Sequence, residues 1–142
     1  MGMNLKVKCD KNVNIKEYME VRKLNDLTFY TEEEMKRSLE NSLLVVSVYH
    51  GSKLIGVGRM MGDNTTSFFI RDIAVIPEYH GYGIGNLIMY ELINYAKAHT
   101  IHKSYIALMA TKGTETFYEK LGFTKRPNDK LGNGMVFYYE KE

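Results

Sequence analysis

The sequence is poor in the residues that mark secreted, metal-bound or membrane-spanning proteins. It has one cysteine, two prolines, four histidines and no tryptophan in 142 residues. The single cysteine, Cys9, excludes an internal disulfide, and the scattered histidines cannot complete a four-ligand zinc site, so no metal is predicted. A reducing compartment, the cytoplasm, is therefore predicted. The apolar runs, such as Leu43 to Val46, are too short to cross a bilayer, and no membrane partner is expected.

The charge balance is even. Nineteen basic residues face 17 acidic ones, and neither sign is gathered into a tail. This balance argues against a nucleic-acid partner or a polybasic membrane surface. The length and the 44% hydrophobic content are typical of one globular domain, and residues 1–142 are predicted to form one.

Helical and extended patterns alternate along the chain. Extended runs are predicted at residues 5–9, 43–49, 53–60, 67–76, 103–109, 123–125 and 135–140. Helices are predicted at residues 14–25, 31–41, 85–98 and 114–121, with Gly122 as a C-terminal cap. This order predicts an α/β fold with a mixed, largely antiparallel sheet and helices on both faces.

Three glycines at alternate positions form the most informative stretch. Gly81, Gly83 and Gly85 follow a strand that Pro77 ends, and they precede a long amphipathic helix. Glycines at such a place expose backbone N–H groups beside the positive end of a helix dipole, an arrangement that binds phosphate. The alternative is a tight turn without a ligand. The position at a strand end favours the phosphate site.

Spacing excludes two other phosphate-binding motifs. A dinucleotide fingerprint counted from Gly83 would need its third glycine at Ile88. The near match to a P-loop that begins at Gly51 continues with Val57, where lysine is required. Neither nucleotide-binding fold is predicted.

Two motifs resemble those of one enzyme family. The segment I-A-V-I-P-E-Y-H-G-Y-G-I-G, residues 73–85, is similar to a strand end followed by Q/R-x-x-G-x-G/A. The segment F-Y-E-K-L-G-F, residues 117–123, is similar to a second motif, F-Y-x-K-x-G-F. With both motifs in this order, the chain is identified as a member of the GNAT superfamily of acetyl-CoA-dependent N-acetyltransferases over about residues 45–140.

The resemblance implies a fold and a cosubstrate. Strands 67–76 and 103–109 would run parallel and diverge, leaving a V-shaped cleft between central strands. Acetyl-CoA would bind there, with its pyrophosphate on the glycine loop and its pantetheine arm paired to main-chain groups of Ile73 and Val75. The residues assigned to acetyl-CoA are Ile73, Ala74, Val75, His80, Gly81, Tyr82, Gly83, Ile84, Gly85 and Asn86.

The resemblance also assigns two catalytic roles. The Val75 amide would polarise the thioester carbonyl, as in an oxyanion hole. Tyr118 matches the tyrosine that protonates the departing CoA thiolate. Acetyl transfer would be a direct attack in a ternary complex, without a metal or a covalent enzyme intermediate.

Three positions depart from the family pattern. His80 replaces the usual glutamine or arginine, and it would add charge near the phosphates or simply be an exposed turn residue. Phe69 stands where some members keep a catalytic glutamate, so that base is missing. Met109 begins a Met-Ala-Thr segment where many relatives have Asn-Ala, which removes a side-chain contact to pantetheine.

The general base stays open. An amine with a pKa near 10 must lose a proton before it attacks. Asp72 is predicted to face away from Ile73 and Val75 and to have a structural role, unless a bulge re-aims it. Tyr30, Glu33 and Glu34 are alternatives in the segment that usually forms the acceptor wall. A chain of water molecules is a further one.

The acceptor is also open. It would be a primary amine on a small molecule or a peptide, and the sequence does not choose between them. The alternatives to an enzyme are a non-catalytic acyl-CoA-binding or regulatory module of the same fold, and an interaction protein with a chance glycine turn.

Four tyrosines have the amphipathic rings that commonly cover the rim of a site or a homodimer surface: Tyr79, Tyr82, Tyr138 and Tyr139.

Overall fold

The computed structural model describes residues 3–142. Between Leu108 and Met109 the chain divides into two compact units. The first unit holds five strands in one mixed sheet, and neighbours in the sheet follow the order of the chain. The strands are β1 (Leu5–Lys8), β2 (Leu44–His50), β3 (Lys53–Gly62), β4 (Ser67–Val75) and β5 (Tyr105–Leu108). The first three pairings are antiparallel and the β4–β5 pairing is parallel, which confirms the predicted α/β fold class.

Three helices and one short turn complete this unit: α1 (Ile15–Leu24), α2 (Glu32–Glu40), α3 (Ile84–His99) and a 3₁₀ turn at Pro77–Tyr79. The start of α2 is a capping box, in which the Thr31 hydroxyl accepts from the Glu34 amide and the Glu34 carboxylate accepts from the Thr31 amide. The helix predicted from Gly85 begins one residue earlier. Within residues 3–142 no helix is long and apolar enough to span a membrane.

A β-bulge interrupts the pairing of β3 with β4. Val57 lies opposite Ala74 and Arg59 lies opposite Arg71, so two β4 residues, Asp72 and Ile73, share one partner position. Asp72 has a φ of 61°, in the left-handed region that aspartate tolerates better than most residues. The bulge turns the side chain of Asp72 to the face of the sheet on which α1 lies, where it contacts Tyr18 and Arg22.

The two faces of the sheet carry different helices. A Cβ atom at Gly58 would lie 2.6 Å from the Ile88 side chain, so glycine at this position lets α3 approach the sheet. The next residue, Arg59, reaches the opposite face, where its Nε bonds Asp72 beneath α1. Helices therefore cover both faces, as predicted. Val57 of β3 and Ile88 and Leu92 of α3 are fully buried and belong to the apolar part of the core.

The second unit has one helix, α4 (Glu115–Lys120), and no strand. Gly122 follows its end with a φ of 103°, as predicted for a left-handed cap. The two extended pieces predicted at residues 123–125 and 135–140 are wrong, since neither joins a ladder. The side chains of residues 135–139 are 53 to 89% exposed, so no buried face supports a strand there. In the described chain β5 is therefore the last strand of the sheet, not a central one.

Cys9 lies next to α3 and offers a simple test of this packing. Its Sγ is 3.4 Å from the Glu91 carboxylate. The pKa of Cys9 is raised to about 11, chiefly by partial burial and then by the hydrogen bond and the negative charge of Glu91. Since only the thiolate reacts, alkylation by iodoacetamide is expected to be half-maximal near pH 11. Glu91→Gln removes the charge and should lower this midpoint. A midpoint near 9 in the unmodified protein would contradict the contact.

Candidate active site

The last residues of β4 extend beyond the β5 ladder. The final pair of that ladder joins Ile70 to Leu108, whereas β4 continues to Val75. The Ile76 amide donates to the Ile55 carbonyl of β3 at 2.9 Å. Because successive amides of a strand point to alternate sides, the N–H groups of Ile73 and Val75 point away from β3, toward the β5 side.

The three β4 residues assigned to acetyl-CoA do not all direct their main-chain groups to the same side of the strand. Ile73 and Val75 direct their main-chain groups toward the side where the β5 ladder has ended. Ala74 alternates with them and lies opposite Val57 in the β3 ladder, with its side chain 3% exposed. The main chain of Ile73 and Val75, not that of Ala74, is placed to pair with an extended ligand.

The glycine loop lies between the 3₁₀ turn and α3. Gly81 and Gly83 have φ values of 85° and 77°, which favour glycine, and Gly83 is the N-cap of α3. The first turn of α3, which includes Ile84, Gly85 and Asn86, has no acidic residue and no side-chain cap. Its first N–H groups have no partner within the helix and carry the positive end of the dipole, so the loop suits an anion.

Two side chains of this loop have specific places. The ring of Tyr82 is 61% exposed, and its centroid lies 6.3 Å from that of Tyr79. His80 turns back toward the strand, and its Nε2 lies 2.7 Å from the Val75 carbonyl oxygen. The sequence placed His80 near phosphate or on an exposed turn, and did not predict this bond.

A buried ionic cluster, missed by the sequence analysis, connects α1 to the bulge. Its members are Tyr18, Arg22, Arg59 and Asp72. The Asp72 carboxylate lies 3.1 Å from Arg22 Nε and 2.8 Å from Arg59 Nε, and it accepts a hydrogen bond from the Tyr18 hydroxyl at 3.1 Å. Burial alone raises the pKa of Asp72, but the two guanidinium groups outweigh it and the pKa is lowered.

One signal for this cluster was present in the sequence. Arg22 falls on the apolar stripe of α1, at helical spacing from Tyr18, where a charge requires a partner. The sequence did not indicate Asp72 as the partner, because Asp72 is 50 residues from Arg22 and the direction of the Asp72 side chain depends on the bulge. Asp72 has a structural place, as preferred from the sequence, and its lowered pKa makes it a poor base.

Arg22 also holds the loop between α1 and α2. Its Nη1 donates to the Thr28 carbonyl at 2.6 Å, and its guanidinium lies 5.2 Å from the centre of the Tyr30 ring. A cavity of about 480 Å³ lies here, and Met19, Arg22, Lys23, Leu27, Phe29 and Tyr30 are among its lining residues. The side chain of Phe29 is 78% exposed. This part of the chain can accommodate a small organic molecule.

The lining of the cavity bears on which residue could act as the general base. Tyr30 lines it, whereas Glu34 is occupied by the capping box of α2. Glu32 lines the cavity and was not among the candidates. Across residues 3–142, no group of three or more His, Cys, Asp or Glu side chains is placed to hold a metal ion.

Tyr118 lies on α4 in the second unit. Its ring meets Phe117 and Phe123 edge to face, with centroid distances of 5.0 and 6.1 Å. Burial raises the pKa of the Tyr118 phenol, so the group stays protonated at neutral pH. A protonated phenol can donate a proton, as the resemblance implies, and the same ring also packs against Phe123.

Comparison with known proteins gives the family of the chain. The family model described as an acetyltransferase (GNAT) domain matches residues 14–139. The chain belongs to the GNAT acetyltransferase family. This GNAT match extends over α1 and α2, where the sequence motifs gave no signal.

Two relatives and one solved structure illustrate the similarity to this GNAT chain. An uncharacterized N-acetyltransferase, ycf52, of Pyropia yezoensis is 30% identical over 139 residues, covering 93% of this chain and 75% of that protein. Serotonin N-acetyltransferase 2, chloroplastic, of rice (Oryza sativa subsp. japonica) is 31% identical over 115 residues, covering 78% of this chain and 56% of that protein. The structure of SA2161, a Staphylococcus aureus protein of unknown function, has a TM-score of 0.85 at 33% identity, with 95% and 99% of the two chains covered.

Proposed function

We propose that this protein transfers an acetyl group from acetyl-CoA to a primary amine by direct attack in a ternary complex. The observation that carries the proposal is the end of β4, where the Ile73 and Val75 amides point away from β3 and are followed, after the 3₁₀ turn, by the glycine loop. An extended arm that ends in phosphates fits this combination, because a strand-like edge and an anion site follow each other along the chain.

Acetyl transfer requires three functions: polarisation of the thioester carbonyl, removal of a proton from the amine, and protonation of the CoA thiolate. The Val75 amide would donate to the thioester oxygen and stabilise the charge that develops when the amine nitrogen attacks the carbonyl carbon. As the C–N bond forms and the C–S bond breaks, the amine loses a proton to a base or to water. Tyr118 would supply the proton that the CoA thiolate takes up.

The acceptor is proposed to bind at the cavity beside α1. Arg22 connects this cavity to β4, since one of its nitrogens contacts Asp72 while its guanidinium lies over Tyr30. The rice relative is named for serotonin, which makes an aryl-alkyl amine one of the acceptors to be tested. The cytoplasm is the proposed location, on the ground that the single cysteine has no disulfide partner in the chain.

A thiol-release assay over an amine panel tests the proposal. The panel contains serotonin, spermidine, an aminoglycoside and a lysine peptide, each beside its fully N-acetylated form as a control that has no free amine. Release of CoA with the free amine and not with its acetylated form is the expected result. Tight binding of acetyl-CoA without release would favour a non-catalytic acyl-CoA-binding module. No binding of CoA at all would favour an interaction protein.

The glycine loop gives the first mutational prediction. Gly83 has a φ of 77°, where a β-branched residue is strained, and a side chain there would enter the volume proposed for the pyrophosphate. Gly83→Val is expected to weaken CoA binding about tenfold or more, roughly 1.4 kcal/mol, in a calorimetric titration.

A matched control separates strain from binding. Gly51, on the turn between β2 and β3, has a φ of 63°, and a Cβ atom there would meet no atom within 4 Å. Gly51→Val carries a similar backbone strain away from the loop and should leave CoA affinity unchanged. Unchanged affinity in a folded Gly83→Val protein would remove phosphate binding as the role of this loop.

A further inference from the structure

The contact between His80 and Val75 joins the glycine loop to the strand before it. The 3₁₀ turn reverses the chain, with the Tyr79 amide bonded to the Ile76 carbonyl and the His80 amide bonded to the Pro77 carbonyl. This reversal brings the imidazole back over the end of β4, where Nε2 lies 2.7 Å from the Val75 oxygen. A carbonyl oxygen only accepts, so Nε2 must carry the hydrogen.

The accepting carbonyl belongs to the residue whose amide is proposed to meet the thioester. The N–H and the C=O of one residue in a strand point to the same side, and for Val75 this is the side away from β3. The β5 ladder has ended five residues earlier, at Ile70. His80 therefore holds Val75 where no strand ladder restrains it on that side.

We propose that His80 is a positioning residue for acetyl transfer: its Nε2–H donates to the Val75 carbonyl and keeps the Val75 amide directed at the thioester oxygen. This inference rests on the proposed function. It also assigns the Val75 carbonyl to the protein, so that the Val75 amide and the main chain of Ile73 are left for the pantetheine arm. A small misplacement of a donor at a reacting carbonyl is costly in rate.

The competing role makes the opposite prediction. If the imidazole contacted phosphate as a cation, its removal would weaken CoA binding and spare the chemical step. If it positions Val75, its removal would lower kcat and spare CoA binding. The two roles can therefore be separated by measuring kcat and the CoA dissociation constant on the same variants.

Three variants test the inference. His80→Ala is expected to lower kcat roughly three- to tenfold, the equivalent of one hydrogen bond, with CoA affinity within about twofold of the original. His80→Gln keeps an N–H donor on a side chain of similar reach and should recover most of the rate. His102→Ala removes another exposed imidazole, on the turn before β5, and should change neither quantity.

A spectroscopic readout tests the contact without turnover. In a long-range ¹H–¹⁵N spectrum of the whole protein, the neutral form of the His80 ring is expected to carry its hydrogen on Nε2. The Nδ1–H form would overturn the inference, as would a His80→Ala protein with normal kcat and weakened CoA binding, or a His80→Gln protein as slow as His80→Ala. No acetyl transfer by the unmodified protein would overturn the proposed function itself, whereas transfer that His80→Ala leaves unchanged would overturn only this inference.

Discussion

Asp72→Asn is expected to lower the free energy of unfolding by about 3–5 kcal/mol, because it leaves two buried guanidinium groups without their counter-charge. The side chains of Arg22, Arg59 and Asp72 are only 5, 6 and 2% exposed, so water cannot replace the lost carboxylate. Asparagine keeps the shape of the side chain and tolerates the φ of 61° at this bulge. The expected loss of stability therefore measures the removal of the negative charge rather than a change in backbone strain. Urea unfolding at pH 7 measures it.

The same cluster predicts how stability depends on pH. The pKa of Asp72 is lowered by folding, so its contribution is fully present above the unfolded pKa of about 4 and is lost as the pH falls through the folded pKa. The difference in stability between the original protein and Asp72→Asn should therefore be largest at neutral pH and should shrink below about pH 4.

An exposed aspartate provides the control for this prediction. Asp129 is exposed in a C-terminal loop, and Asp129→Asn should leave the unfolding curve unchanged. A difference between the original protein and Asp72→Asn below about 1 kcal/mol at pH 7 would contradict the buried ionic cluster, since that is the size expected for an exposed pair.

Tyr118→Phe is expected to lower kcat about 100-fold on the best amine of the panel, with little change in acetyl-CoA affinity. The variant keeps the ring that packs against Phe123 and removes only the hydroxyl that would protonate the thiolate. Because burial raises the pKa of Tyr118, the rate of the original enzyme should fall only above pH 10, as the phenol ionises. This alkaline limb should be absent from the pH profile of Tyr118→Phe.

The control is a tyrosine of the same unit. Tyr138 is 89% exposed, and Tyr138→Phe should keep the original kcat and pH profile. A folded Tyr118→Phe enzyme with nearly normal kcat would show that water protonates the thiolate and that Tyr118 only packs. Because this result concerns one proton transfer, it would leave the role of β4 untouched.

Much of the site could be predicted because its signals are local. The apolar run before Pro77 and the glycines after it place β4, the loop and α3 within one or two residues of their observed bounds. The capping box of Thr31 and Glu34 likewise placed the start of α2. In each case the residues that decide the structure are within a few positions of one another.

The errors arose where the deciding contact is distant. Residues 135–140 have strong β propensity, but a strand also needs a partner and a buried face, and propensity specifies neither. The bond from His80 to Val75 was missed for a different reason: it spans only five residues, but it depends on the 3₁₀ turn between them, which the sequence pattern did not indicate.

By itself the sequence determined the fold class, the family and the order of strand, glycine loop and helix, because these follow from local periodicity and from residues such as Gly83 that few others can replace. Only the tertiary structure decided which main-chain groups of β4 face away from β3, and what surrounds Asp72. Both depend on the register of β4 against β3, and one extra residue in a strand changes the direction of every group beyond it.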